Sequence, residues 1–187
     1  MIGQLPRSVE VNGTIYTVRT DYRDILRILT AYNDPNLEPW EQAYVCLTIF
    51  YVDFSEIMPA DDYNEALEKA IAFIDMGSKD EKPSRHPKTM DWEQDESLLF
   101  PAINKVAGYE TRSSEYIHWW TFMGYFMEIS DGVFSQVLSL RLKKAKGKKL
   151  EKHEQEFWTA NRSICVLRKK VSDQQKTEIE HLKEMFT

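Results

Sequence analysis

The sequence predicts a mainly α-helical protein with one small β-hairpin, and three observations lead there. Apolar residues recur at steps of three and four through most of the chain, the spacing of one helix face. The run 116–129 holds two of the five tryptophans and is apolar on nearly every side, with only His118, Thr121 and Glu128 as a polar stripe. Such a segment must be surrounded, so a helix at about 114–129 is expected as the central post of six to eight helices. Strict alternation is confined to about 8–18, where Val9, Val11, Ile15 and Thr17 flank Asn12-Gly13. Asn-Gly suits a type I′ turn, because both central residues need positive φ.

The elements follow in order. Thr20 or Asp21 caps a first helix with Tyr22, Ile25, Leu26, Leu29 and Tyr32 on one face. The stretch 33–36, Asn-Asp-Pro-Asn, ends it. Pro39 suits the first turn of a second helix; from Ala43 to Phe54 the run is rich in aromatic and β-branched residues, so a strand is the alternative there, but the start at 39–42 favours a helix continuing to Phe54. Pro59 and Asp62 open a third, where Asp62 and Glu65 have capping-box form. Gly77 is its expected left-handed cap. The stretch 78–89 has no apolar residue and two prolines, so 78–90 reads as a mobile loop or hinge within a single 1–187 helical domain, separating a 1–77 half from a 91–187 half. His86, inside it, is expected to do nothing. A fourth helix runs to Ala107 with Gly108 as cap, and Pro101 within it predicts a kink or a split. After the central helix, Asp131-Gly132 breaks the chain and a sixth helix covers about 133–145. A seventh is expected over 150–171, where Phe157, Ala160, Ile164, Leu167 and Val171 make a coiled-coil-like seam. Ser172 and Gln175 form a capping box for a last helix bearing Ile179, Leu182 and Phe186.

Charge is uneven. The net charge of −6 divides into −12 over residues 1–140 and +6 over 141–187, counted on that sequence. Two cysteines, Cys46 and Cys165, lie in apolar surroundings, with neither metal-ligand spacing nor a disulfide framework. The N-terminus lacks a charged-then-apolar leader pattern, and no apolar run reaches the ~20 residues of a membrane span. The chain is expected to stay in the cell that makes it, away from membranes.

Metal binding is the sharpest enzymatic candidate. Glu115-x-x-His118 and Glu178-x-x-His181 each place a carboxylate and an imidazole one helical turn apart. Di-iron bundles use two such pairs plus two further glutamates, for which Glu41 or Glu65 would have to serve. Glu115 also suits the favourable N-terminal dipole of a helix, and the second pair lies near the chain end, where helices fray. The sequence contains neither a phosphate-cradling glycine loop nor a nucleophile elbow. No cofactor, no metal and no catalysis are therefore expected. Lys143, Lys144, Lys146, Lys148 and Lys149 form a basic corner. It lacks aromatic stacking residues and runs straight into Glu151, Glu154 and Glu156, so nucleic acid is not the expected partner. An acidic protein surface fits it, including that of another copy.

Four stretches carry a resemblance: 16–23, Tyr-Thr-Val-Arg-Thr-Asp-Tyr-Arg; 91–96, Asp-Trp-Glu-Gln-Asp-Glu; 118–122, His-Trp-Trp-Thr-Phe; and 144–150, Lys-Ala-Lys-Gly-Lys-Lys-Leu. With them, in order along the chain, the sequence resembles the gene-product-fifteen family of bacteriophage tail-assembly proteins. That resemblance implies a siphophage or prophage tail gene near the tape-measure gene, a product in the cytoplasm of the bacterial host, and a non-enzymatic role. The implied role is chaperone or accessory factor for the tape-measure protein, with a structural tail component as the alternative; the two Glu-x-x-His pairs, apart from the resemblance, leave a helical di-metal protein as a third and less favoured reading. Tape-measure or other tail proteins are the implied partners, with self-association as a further one. The surface expected to serve them is Phe157, Ile164, Leu167, Val171, Ile179, Leu182 and Phe186 with the five corner lysines.

Overall fold

The computed structural model describes residues 3–77 and 87–185, which form two compact units, Met1–Asp75 with Lys169–Thr187, and Met76–Arg168. Among the described residues there is one two-stranded sheet and ten α-helices, eight of nine or more residues and two of a single turn. His86 and Phe186 lie outside the described residues.

In the first unit, β1 (Ser8–Val11) pairs antiparallel with β2 (Thr14–Thr17), Val9 opposite Tyr16 and Val11 opposite Thr14. Asn12 and Gly13 take φ of 46° and 80°, as the type I′ turn requires. Opposite residues share a face, so Tyr16 joins Val11 in the core while Ile15 is 74% exposed.

Helix α1 (Tyr22–Tyr32) starts at Asp21, whose carboxylate accepts from the Arg23 N–H at 2.9 Å. It buries Tyr22, Ile25 and Ile28. Helix α2 (Pro39–Phe50) has Pro39 at its first position and a Glu38–Glu41 capping box. The expected continuation to Phe54 does not form. Tyr51 is extended and bridges Val18, and Asp53 is left-handed at φ 55°. Arg19 secures that end, its Nη1 donating to the carbonyls of Thr48, Ile49 and Tyr51 at 3.1, 2.8 and 2.9 Å. A separate turn, α3 (Phe54–Ile57), follows.

Helix α4 (Tyr63–Ile74) continues from a 3-10 turn, Ala60–Asp62. Asp62 is already helical, so the expected capping box is absent. Its carboxylate instead accepts from Asn12 Nδ2 and Tyr16 Oη, and Glu65 accepts from the Asn12 N–H at 3.2 Å. The acids read as a cap are the anchors of the hairpin. Met76, at φ 54°, turns the chain left-handed before Gly77 does. The Tyr51 hydroxyl donates to the Ala66 carbonyl at 2.8 Å inside a core that stacks Phe50 edge-on to Phe73.

The second unit begins its helices with α5 (Glu96–Ala107), ended by left-handed Gly108 as expected. It runs as one helix through Pro101. The carbonyl deprived of its donor is that of exposed Ser97, in the first turn, where water can replace the bond. A 3-10 turn, Thr111–Ser113, leads to α6 (Trp119–Met127), which is shorter than the expected 114–129. Trp119 and Phe122 are buried, whereas Trp120, Met123 and Phe126 are half-buried. Helix α7 (Val133–Ala145) has the predicted bounds.

The expected 150–171 helix is overturned. Helix α8 (Lys152–Ala160) opens on a Glu151–Glu154 capping box and stops at Asn161, whose Nδ2 donates to the Phe157 carbonyl at 3.0 Å. Asparagine competes with the backbone in this way and favours a break. One more turn, α9 (Arg162–Cys165), is followed by non-helical chain from Val166. Helix α10 (Asp173–Met185) returns to the first unit. Its Ser172–Gln175 box forms as expected, with two bonds of 3.2 Å, and the Asp173 N–H reaches Asn36 Oδ1 at 2.8 Å.

Candidate partner-binding surfaces

A buried ion pair dominates the polar interior of the second unit. Arg141 and Asp95 are 6% and 2% exposed and meet through two parallel bonds of 2.7 and 2.8 Å. The remaining guanidinium hydrogens go to the carbonyls of Cys165, Thr89 and Ile164, at 2.9, 2.9 and 2.6 Å. All five donors are thereby used. Asp95 also accepts from the Asp91 N–H, and Asp91 from the N–H groups of Glu93 and Gln94. The acidic cluster that precedes α5 is therefore a fastening. It ties 89–95 to α7 and to the end of α9. A cleft of about 190 Å³ beside it is lined by Gln94, Ser163, Val166 and Arg168. That is smaller than the ~300 Å³ from which small-molecule sites usually start. Gln94 spans it, its side-chain amide exchanging two 2.8 Å bonds with the Arg168 backbone.

The metal candidates do not assemble as the sequence suggested. Glu115 precedes α6 in non-helical chain, so it shares no helix face with His118. His118 stands just before α6 instead of on a polar stripe along it, and it is hydrogen-bonded. It is 3% exposed and is the N-cap of α6, its Nδ1 accepting from the Trp120 N–H at 3.1 Å. Glu178 and His181 lie on α10, in the other unit. Among the described residues no group of three or more His, Cys, Asp or Glu side chains could hold a metal ion.

The basic corner is only partly free. Lys143 pairs with Glu154, and this hydrogen bond raises the lysine pKa and lowers that of the glutamate. The Lys144 ammonium lies 4.5 Å from the centre of the Trp158 ring, a cation–π contact. Trp158 thus supplies the aromatic side chain the corner lacks in sequence, fourteen positions away. Lys146, Lys148 and Lys149 are exposed.

The expected apolar seam is dispersed. Phe157 lies on α8, Ile164 on α9, and Leu167 and Val171 in the non-helical stretch after it; all four are half-buried. On α10, Ile179 and Leu182 are 43% and 50% exposed. A second apolar surface escaped the sequence reading. Trp40 and Tyr44, one turn apart on α2, are 70% and 50% exposed. Tyr44 packs edge-on against Phe54, and Ile57 in the same turn as Phe54 is 51% exposed. The four-residue spacing was the available signal.

No helix among the described residues is long and apolar enough to cross a membrane. A family profile described as Bacteriophage Gp15 protein matches residues 1–167. No curated protein and no solved structure matches the chain.

Proposed function

From the premise that this chain belongs to the bacteriophage Gp15 protein family, we propose a non-enzymatic tail-assembly role, as chaperone or accessory factor for the tape-measure protein in the host cytoplasm. The observation that carries the binding part is α10, which presents Ile179 and Leu182 to solvent. An amphipathic helix of this kind can lie against a helical client. In sequence it begins at Asp173, beyond Cys165, the last residue that Arg141 holds. That fastening supports a non-catalytic reading of the buried polar site in the second unit, because all five Arg141 donors are already taken and none is left for a substrate. The exposed corner lysines would add head-to-tail contact between copies, which allows many copies to line a long client.

The test is co-expression with the tape-measure protein. Removing 150–187 would strip Arg141 of two carbonyl partners, so the informative variants are Ile179→Asp with Leu182→Asp, and a chain ended at Ser172. Both should lose the tape-measure protein on purification, and the double aspartate variant, which keeps α10, should do so with its fold intact by circular dichroism. A complex retained by both variants refutes the α10 assignment, and no complex with the intact chain refutes the chaperone role. Recovery of the protein in purified particles, at stoichiometry with tail proteins, would make it a structural component instead.

A further inference from the structure

Between Arg27 and Lys69 the chain has nine Asp or Glu residues and no Lys or Arg. The Trp40–Tyr44–Ile57 surface lies in this stretch. Glu38, Asp53, Glu56 and Asp61 in the same stretch are exposed, so the exposed apolar residues have only acidic charges, and no cation, as sequence neighbours. A tryptophan 70% exposed, one turn from a half-exposed tyrosine, is costly to leave in water and is the residue type that anchors interfaces. The chemistry that fits is a cationic surface with aliphatic stems, since lysine side chains cover aromatic faces with their methylenes and place ammonium groups at the rim. The same molecule carries such a surface. Lys146, Lys148 and Lys149 are exposed beside the Lys144–Trp158 contact, and residues 141–187 sum to +6.

We propose that the Trp40–Tyr44–Ile57 face of one copy docks the Lys146–Lys149 corner of a second copy. The proposal rests on the head-to-tail association offered above and names its other half. One face and one corner per chain make the contact heterologous, so each copy can bind two neighbours and association can propagate. Aromatic burial would hold the contact, while the opposed charges set its register and its encounter rate.

The experiment uses the full chain in sedimentation velocity at 50 mM and 500 mM NaCl. The wild type should associate at low salt and dissociate at high salt. Trp40→Ala with Tyr44→Ala should weaken association about tenfold or more at low salt, and these exposed positions leave the fold intact by circular dichroism. Asp53→Lys with Glu56→Lys, and separately Lys146→Glu with Lys148→Glu and Lys149→Glu, should each be monomeric. An equimolar mixture of the two charge-reversed proteins should associate again, because each then offers the other a complementary surface. A monomeric wild type, aromatic variants that associate like the wild type, or a mixture that stays monomeric would each overturn the proposal. Capture of the tape-measure protein by the same variants is measured in parallel. Loss of self-association with capture retained places the result on this contact and leaves the chaperone role standing.

Discussion

Arg141 is a side chain whose surroundings were assembled from three distant places, Thr89, Asp95 and the end of α9. Breaking a buried pair leaves the other charge uncompensated. Arg141→Met should therefore cost ~3–5 kcal/mol in urea unfolding, and adding Asp95→Leu should recover part of the loss by removing the stranded carboxylate. A loss under ~1 kcal/mol for the single variant would mean water reaches the pair. The two adjacent tryptophans should separate in the same assay. Trp119→Ala removes a ring 1% exposed and should cost ~3–5 kcal/mol, against about 1–2 kcal/mol for half-buried Trp120→Ala. Burial also pushes the Cys46 thiol up to about 11, and the Tyr51 and Tyr32 hydroxyls upward. The neutral forms are favoured by folding. An unfolded chain begins to release the thiol proton near pH 9 and the folded one near pH 11, so stability should fall as pH rises across that window. Urea midpoints at pH 8, 9, 10 and 11 check the sign, and a rise would contradict it.

At the scale of elements, the His118 cap can be tested apart from its volume. His118→Ala should destabilise by ~1 kcal/mol or more, and His118→Asn should recover most of it, since asparagine can accept from the same N–H. Equal losses in both would show that packing, not capping, is what His118 supplies. Paired Asp62→Ala and Glu65→Ala should speed hydrogen exchange across 8–17 while leaving α5 and α7 unchanged, because those two acids anchor the Asn12 turn. These elements also show what was legible in the sequence. The Asn12–Gly13 turn, the Gly108 cap, the Ser172–Gln175 box and the bounds of α7 were readable, since each depends on residues within a turn of one another. The Asp62–Asn12 and Arg141–Asp95 bonds, fifty and forty-six positions apart, were not, for local spacing says nothing about distant partners. Helix periodicity misled at 150–171. A three-four seam requires only that residues could share a face, and Asn161 ended the helix by bonding its own preceding turn. The exposure of Lys146, Lys148 and Lys149 was legible in their run of charge and the Trp40–Tyr44 pair only in its four-residue spacing, while the Lys144–Trp158 contact emerged with the fold.

At the scale of the molecule, the first unit is made from the two ends of the chain and the second from its middle. A ribosome adds about 5–20 residues per second. Residues 1–75 therefore emerge and wait, for ~5–20 s by that rate, while the second unit is made and before α10 arrives to join them. The middle unit has its own deadline, since Arg141 lacks the Ile164 and Cys165 carbonyls until the last turn of that unit has been synthesised. The order of birth along the chain is then first unit incomplete, second unit closed, first unit completed. A premature stop anywhere before residue 173 leaves the N-terminal segment permanently without its final helix.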